Sequence, residues 1–205
     1  MRMITSSLVM VLLCLAFPAN AERKLVVEED GIRVEEELGA EERILPIMVG
    51  TTTMSAKPMQ IAAWIQATHT HASWMHNCEE ARVIRESKGG VVGYNRIASP
   101  WPVSDRDVVL VSSREDLADG SIHIKFRNTT DDAMPPNKDS VRMRHLFGSY
   151  LLTPVEDGTQ VIYTVDSDPG GSLPGWLVRQ ASKELPLNTL RKLRERAQLG
   201  MPPAP

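Results

Sequence analysis

The chain has 205 residues, a formal net charge of −3 and 42% hydrophobic residues. This length and hydrophobic content suit one globular domain with a real core and exclude an intrinsically disordered chain. The small net charge excludes a strongly basic nucleic-acid-binding protein. An acidic run from Glu22 to Arg43 and a basic run from Arg179 to Arg196 are most simply interpreted as solvated faces.

Residues 1–21 have the pattern of a cleavable secretion signal. A positively charged start precedes the apolar stretch 7–17, and small residues form a cleavage site that ends at Ala21. The apolar stretch is shorter than the roughly 20 residues that span a bilayer, so an uncleaved membrane anchor is the weaker alternative. Lipid attachment at Cys14 is a second alternative, disfavoured because Leu13 stands where such signals have a small residue. We therefore expect an exported protein, periplasmic or secreted.

The first part of the mature chain contains patterns typical of a hairpin, a third strand and a helix. An Asp30-Gly31 turn is a short-range hairpin signal, and Pro46 indicates an edge strand or a bulge. Apolar residues at helical spacing predict the helix. These elements are strands Lys24–Val27 and Ile32–Val34, strand Arg43–Val49 and helix Pro58–Ala67.

Alternating apolar and polar residues then predict a meandering antiparallel sheet. Its strands are Ala81–Ile84, Val91–Tyr94, Asp107–Val111, Ile122–Phe126, Val141–Arg144 and Val161–Val165, with one of the turns at Lys88-Gly89-Gly90. Helical spacing returns over Leu173–Leu199, where Pro186 is expected to kink or break the helix. The Pro-rich tail 201–205 is expected to be loose. Cys78 has no partner in the mature chain, so we expect no disulfide.

Two segments carry a family resemblance, and Trp74 adds to it. The segment Tyr94–Asp107, YNRIASPWPVSDRD, resembles the strand-turn-strand of START domains, which are lipid-transfer modules of the helix-grip fold. The segment Asp168–Val178, DPGGSLPGWLV, is similar to the part of that family that leads into its C-terminal helix. The resemblance implies an α+β helix-grip fold over residues 22–200, with a curved antiparallel sheet wrapped around a long C-terminal helix and a hydrophobic cavity between them.

The resemblance also implies two sets of residues with different roles. Aromatic and apolar side chains near the cavity are candidates for lining it: Tyr94, Trp101, Phe126, Met143, Tyr150, Tyr163, Trp176, Leu177 and Ala181. The motif residues are expected to have structural roles: Trp74, Pro100, Pro102, Arg106, Asp107, Pro169, Gly170 and Gly171. We expect Arg106 and Asp107 to connect strand ends or to hydrogen-bond loop carbonyls. The segment 169–171 is expected to form a hinge before the helix. Ser172 is a candidate N-cap for the helix that follows.

The family resemblance does not identify one ligand. START members that carry phosphatidylcholine hold the phosphate with an Arg and an Asp beside the matching Trp, and here those positions are His71 and Met75. Sterol carriers of the family use a buried acidic-basic pair, and the matching positions here are Gly93 and Ser112. We therefore expect a binding and possibly transfer protein for a lipid or another apolar small molecule, with no cofactor.

Three other functions remain open at this point. His69, His71, His76 and Cys78 offer potential metal ligands, but no firm zinc spacing matches, and we expect no metal. Common catalytic motifs are missing, so the protein is not expected to be an enzyme; a cyclase-like helix-grip enzyme acting on a hydrophobic substrate is the alternative. The basic C-terminal helix is a candidate for transient contact with anionic membranes.

Overall fold

The computed structural model describes residues 22–37, 45–87, 90–136 and 138–205. The predicted secretion signal, Cys14, the acidic pair Glu41-Glu42 and the first two residues of the predicted Lys88-Gly89-Gly90 turn lie outside the described residues. Among the helices of the described part, none is both long enough and apolar enough to cross a bilayer.

Within the described residues, ten strands form one curved sheet in the spatial order β1-β2-β3-β10-β9-β7-β6-β5-β4, and β8 pairs with β6. All pairs are antiparallel except β6 with β8. The strands are β1 (Arg23–Glu29), β2 (Ile32–Glu37), β3 (Ile47–Met54), β4 (Cys78–Ser87), β5 (Gly90–Ile97), β6 (Asp105–Asp116), β7 (Ile122–Asn128), β8 (Ser140–Arg142), β9 (His145–Val155) and β10 (Gly158–Asp168). Helix α1 (Pro58–Gln66) and a 3-10 helix (Thr68–Ser73) join β3 to β4, and α2 (Gly175–Gln198) follows β10.

The α+β helix-grip architecture and most of its elements are confirmed, with two exceptions in the sheet. The predicted strand Val141–Arg144 is the short β8, and the eleven-residue β9 was not predicted. Pro46 lies just before β3, which runs between β2 and β10, so the prediction of an edge strand there was wrong.

Helix α2 packs directly on β3 at Gly50. An ideal Cβ on Gly50 would lie 2.7 Å from Cδ1 of Leu190 and 3.1 Å from Cβ of Pro186. Only a residue without a side chain permits this approach. Pro186 lies inside one continuous helix, so the predicted break is wrong, and the residue is buried against the sheet. The second half of α2 is therefore the part that closes the core.

The acidic and basic runs of the sequence meet in the structure. Arg191 of α2 lies 2.9 Å from Glu29 and 3.1 Å from Asp30, and Arg194 donates a hydrogen bond to the Asp30 carbonyl oxygen at 2.8 Å. Arg196 donates to the Ser73 carbonyl oxygen at 2.9 Å. These arginines attach the second half of α2 to the β1-β2 hairpin and the 3-10 helix, so they are not simply a solvated face.

The C-terminal tail packs against α1 and the 3-10 helix. The indole nitrogen of Trp64 donates to the Gly200 carbonyl oxygen at 2.8 Å, and Nε2 of His69 lies 3.1 Å from the Pro203 carbonyl oxygen. Backbone carbonyls at Gly200 and Pro203 therefore contact side chains of the body, and looseness of the tail 201–205 stays a prediction.

Candidate ligand cavity

A cavity of about 100 Å³ lies between the concave face of the sheet and the α1–3-10 segment. Its helical side comprises Ile65, Thr68 and His71, with Met75 just after the 3-10 helix, whereas α2 contributes only Leu185 among the described residues that line it. The cavity was expected between the sheet and the C-terminal helix, and α2 reaches it at Leu185. The strands supply the rest of the lining, which is largely aliphatic: Val91, Ile97, Val108, Leu110, Ile124 and Leu146.

The alternation of strand β5 decides which of its residues face the cavity. Gly93 and Asn95 line the cavity, whereas the intervening Tyr94 points to the opposite face of the sheet. There Tyr94 packs in a separate apolar cluster, and the guanidinium of Arg82 lies 5.1 Å from its ring centre. The prediction that Tyr94 lines the cavity is wrong for this reason.

Four of the predicted lining residues do lie on the cavity wall: Phe126, Met143, Tyr150 and Tyr163. The Tyr150 ring stacks on that of Tyr163 with centres 4.4 Å apart. The Phe126 ring centre lies 6.0 Å from that of Tyr150. These aromatic rings form one wall of the cavity; contact with a ligand stays a prediction.

The remaining predicted lining residues lie on the surface. Trp101 is 93% exposed in the turn between β5 and β6, and Trp176 is 61% exposed in the first turn of α2. Ala181 is exposed and Leu177 is half-buried without lining the cavity. Their assignment to the cavity is corrected, because the first half of α2 does not pack against the sheet as its spacing suggested.

Arg106 connects the two motif segments that carried the family resemblance. Its guanidinium donates to the carbonyl oxygens of Pro169 at 3.3 Å and Gly170 at 3.1 Å, and to that of Ser104 at 2.5 Å. Gly170 and Gly171 both have left-handed backbone, with φ of 65° and 70°. Arg106 thus fixes the bend before α2 to the β5-β6 turn, which contains Pro100 and Pro102.

The beginning of α2 differs from the sequence expectation. The N-cap residue is Pro174, and no side chain caps the helix, so Ser172 does not act as the N-cap. Trp74, in contrast, is fully buried, and its indole nitrogen donates to the Thr70 hydroxyl at 3.2 Å. The Trp74 ring also meets the His71 ring edge-on, with centres 5.2 Å apart. Trp74 therefore supports the wall that presents His71 to the cavity.

A small polar cluster interrupts the apolar lining. Nε2 of His71 lies 2.9 Å from the Ile65 carbonyl oxygen, and Nδ2 of Asn95 lies 3.4 Å from Nδ1 of His71 and 3.6 Å from the Met75 sulfur. Burial lowers the pKa of His71 to about 4, because the charged imidazolium is poorly solvated there. His71 is therefore neutral at physiological pH, and this cluster carries no charge.

The paired tyrosines add a second polar feature. Burial raises the pKa of both Tyr150 and Tyr163, so both phenols stay protonated. The Tyr163 phenol lies close enough to influence the pKa of Tyr150, yet the Tyr150 hydroxyl has no hydrogen-bond partner of normal geometry among the described residues.

The histidines and the cysteine that suggested a metal site point in different directions. His69 contacts Pro203, His71 faces the cavity, and His76 lies 3.9 Å from Glu184 on α2. The Cys78 thiol donates to the Glu80 carbonyl oxygen at 3.4 Å, and burial raises its pKa to about 11, which makes it a poor metal ligand. In the part of the chain that the structure describes, no group of three potential ligands converges.

A wider depression of about 550 Å³ lies on the outer face of the sheet, but it is open to solvent. Its wall contains the cationic or titratable side chains His123, Lys125 and Arg127 beside Phe147. The cavity under the α1–3-10 segment is the better candidate site, because it is more enclosed and more apolar, with a few polar groups in its wall.

Asn95 is the main site residue that the sequence analysis missed. The signal was present, because Gly93 was placed at a ligand position and residues two apart on a strand share a face. Ile65 and Leu185 were missed as well, since helical spacing alone does not show which part of a helix meets a cavity.

Comparisons with known proteins agree with this fold. The START domain family model matches residues 48–200. An uncharacterized protein of Pseudomonas aeruginosa is 33% identical over 178 residues, which cover 85% of this chain and 86% of that protein. The phosphatidylcholine transfer protein of Bos taurus is 25% identical, covering 85% of this chain and 84% of its own length.

A solved structure of a STAR-related lipid transfer protein from Xanthomonas axonopodis matches with a TM-score of 0.78. It is 28% identical, and the match covers 86% of this chain and 98% of that one. The family match extends over most of the chain and includes the cavity-lining strands, the Arg106 turn and α2. The chain belongs to the START domain family.

Proposed function

We propose that this protein binds a lipid or a similar apolar molecule in the cavity beneath the α1–3-10 segment. The observation that carries the proposal is the lining itself: among the described residues it is aliphatic and aromatic, with a few neutral polar groups and no charged side chain. Such a surface gains affinity from apolar burial and orientation from a small number of hydrogen bonds. The names of the bovine and Xanthomonas relatives, both lipid transfer proteins, support it.

The first half of α2 is proposed as the part that moves when a ligand enters. A cavity of about 100 Å³ is smaller than the roughly 300–1,000 Å³ of usual ligand sites, so a lipid needs more room. The segment 175–183 is exposed or half-buried throughout, whereas buried side chains begin at Pro186. Because few contacts hold the first half, it opens at the least cost in free energy.

Contact with a membrane surface is proposed at this same end of the molecule. The basic residues in the second half of α2, Arg191, Arg194 and Arg196, already bond to the protein. Arg179 and Lys183 are exposed in the first half, near the exposed Trp176. Tryptophan favours the membrane interface, and basic residues favour anionic headgroups. This surface would let the protein collect and deliver its ligand.

Binding is proposed in preference to catalysis because of the state of His71. Both of its ring nitrogens are already engaged, one with the Ile65 carbonyl and one with the Asn95 amide, and its pKa of about 4 makes it a weak base. A general base at neutral pH requires a pKa closer to 7.

Export to the periplasm or the medium is also proposed, on the pattern of residues 1–21. N-terminal sequencing of the mature protein tests it, and we expect the first residue to be Glu22.

Native mass spectrometry of protein purified without detergent tests the binding proposal, followed by extraction and identification of released molecules. The variant Ser112→Phe fills the cavity, and Ser113→Phe places the same ring on the outer face of the same strand. We expect Ser112→Phe to lose the bound lipid and Ser113→Phe to keep it. A wild-type protein that carries no lipid and takes up no lipid with a fluorescent acyl chain would refute the proposal.

A further inference from the structure

One buried polar atom on a residue of the cavity wall lacks a hydrogen-bond partner. Asn95 is 3% exposed and lines the cavity from strand β5. Its side-chain oxygen Oδ1 has no hydrogen-bond partner among the described residues. A buried acceptor without a partner is unfavourable, and native structures rarely leave one without a reason.

The orientation of the Asn95 amide follows from its neighbours. The Ile65 carbonyl oxygen can only accept, so the proton of His71 is on Nε2, which leaves Nδ1 as an acceptor. Nδ1 of His71 therefore takes a hydrogen from Nδ2 of Asn95, and the Met75 sulfur accepts from the same nitrogen. With its nitrogen held on this side, the amide presents its oxygen to the remaining space.

The charge of the surroundings restricts what can approach this oxygen. Among the described residues that line the cavity there is no lysine, arginine, aspartate or glutamate. A phosphate or carboxylate placed here would lose its hydration without gaining an ion pair, which is strongly unfavourable. An uncharged group that donates a hydrogen, in contrast, satisfies Oδ1 of Asn95.

We propose that the ligand has an uncharged polar end, an alcohol or an amide N–H, that donates a hydrogen bond to Oδ1 of Asn95 beside His71 and Met75. The inference rests on the proposed lipid-binding function and names the chemical class of the lipid. The apolar body lies along the aliphatic and aromatic wall formed by residues such as Leu110, Phe126 and Tyr150.

Three lipids with identical acyl chains test the inference. Dioleoylglycerol has one free alcohol, its 3-acetyl ester lacks the donor, and dioleoylphosphatidylcholine carries charges. In competition followed by native mass spectrometry, we expect wild-type protein to prefer dioleoylglycerol over the ester and over the phospholipid by about tenfold or more. Equal binding of the alcohol and the ester, or preference for the phospholipid, would overturn the inference and leave the proposed function intact. Failure of all three to bind would also overturn the inference, whereas the proposed function is decided by the molecules released from the purified protein.

The variant Asn95→Leu tests whether Asn95 causes the preference for the alcohol over the ester. It keeps a similar volume and removes the acceptor, so we expect the alcohol to lose its advantage over the ester while the ester itself binds as before. Gln160→Leu makes the same chemical change at an exposed position of β10 and should keep the wild-type preference. If Asn95→Leu still prefers the alcohol over the ester as strongly as the wild-type protein does, the preference does not come from Asn95. If this variant fails to fold, the comparison of the three lipids on wild-type protein still decides the ligand class.

Discussion

The guanidinium of Arg142 donates two hydrogen bonds to one carboxylate oxygen of Asp107, at 2.7 Å from Nη2 and 3.0 Å from Nε. Asp107 is fully buried on β6, and the Arg142 side chain is 13% exposed on β8. Arg142 also donates to the Met134 carbonyl oxygen at 3.0 Å. The pair therefore attaches β8 and the loop before it to the outer face of the sheet.

Replacing Arg142 by Met should destabilise the protein strongly. The change leaves the carboxylate of Asp107 buried without its partner, which costs about 3–5 kcal/mol in the free energy of unfolding. Urea denaturation measures this loss. Arg33→Met is the matched control, because Arg33 pairs with Glu35 at 3.0 Å on the surface and its loss should cost about 1 kcal/mol or less. Equal losses in the two variants would show that the buried pair has no special role.

The buried His71 should make the protein less stable in mild acid. Its pKa is about 4 in the folded protein and about 6.5 when unfolded, so only the unfolded state takes up a proton between these values. The contribution of His71 to the free energy of unfolding is therefore fully present above about pH 6.5 and decreases as the pH falls to about 4. Below that pH it changes no further. Between pH 7 and 5 the expected loss from this group is about 2 kcal/mol.

Urea denaturation at pH 7 and pH 5 tests this dependence with two variants. His71→Gln keeps a hydrogen-bonding side chain but cannot titrate, so most of the difference between the two pH values should disappear. In His123, burial also lowers the pKa, but the side chain is less enclosed, so His123→Gln should remove only a minor part. An unchanged pH dependence in His71→Gln would contradict the assignment.

The two halves of α2 should contribute very differently to stability. Leu193 is fully buried in the core, and Leu193→Ala is expected to cost about 2–5 kcal/mol. Leu177 lies in the first half and is only half-buried, so Leu177→Ala should cost about 1 kcal/mol or less. Thermal unfolding measures both. Comparable losses would show that the first half of α2 is held as firmly as the second, contrary to its proposed opening.

The same helix shows what sequence periodicity can and cannot predict. Its spacing correctly places Leu177, Leu185 and Leu193 on a helix, because apolar residues three and four apart share a face. Periodicity does not show whether that face meets the body, and here only the half from Pro186 onward does. That difference depends on Gly50 of β3, whose missing side chain lets the second half approach the sheet.

Strand β9 was missed for a related reason. Leu146, Tyr150 and Leu152 face inward, but Phe147 and Leu151 make the outward positions apolar too, so no alternation is visible. Gly148 interrupts the pattern further, since the Phe126 ring and the Thr164 backbone occupy the space of a side chain there. The strand face shared with Gly93 could have placed Asn95 on the cavity wall, but its pairing with His71 depends on contacts between β5 and the 3-10 helix that are distant in sequence.

Removing the exposed tryptophans should weaken membrane contact without affecting the fold. Trp101 and Trp176 are 93% and 61% exposed, so the double change to Ala should leave thermal stability nearly unchanged. Because tryptophan partitions into the membrane interface, we expect about a tenfold loss of affinity for vesicles of mixed phosphatidylcholine and phosphatidylglycerol. Co-sedimentation with vesicles measures it, and added salt should weaken the remaining binding through Arg179 and Lys183.

A matched control removes an exposed aromatic residue from a different surface. Phe147 is 43% exposed on the outer face of the sheet, beside His145, and Phe147→Ala should keep the wild-type affinity for vesicles. If Phe147→Ala weakens binding as much as the double tryptophan variant does, contact is through general surface hydrophobicity. If only the tryptophan variant binds weakly, the end of the molecule that contains the β5-β6 turn and the first turn of α2 is the surface that meets the membrane.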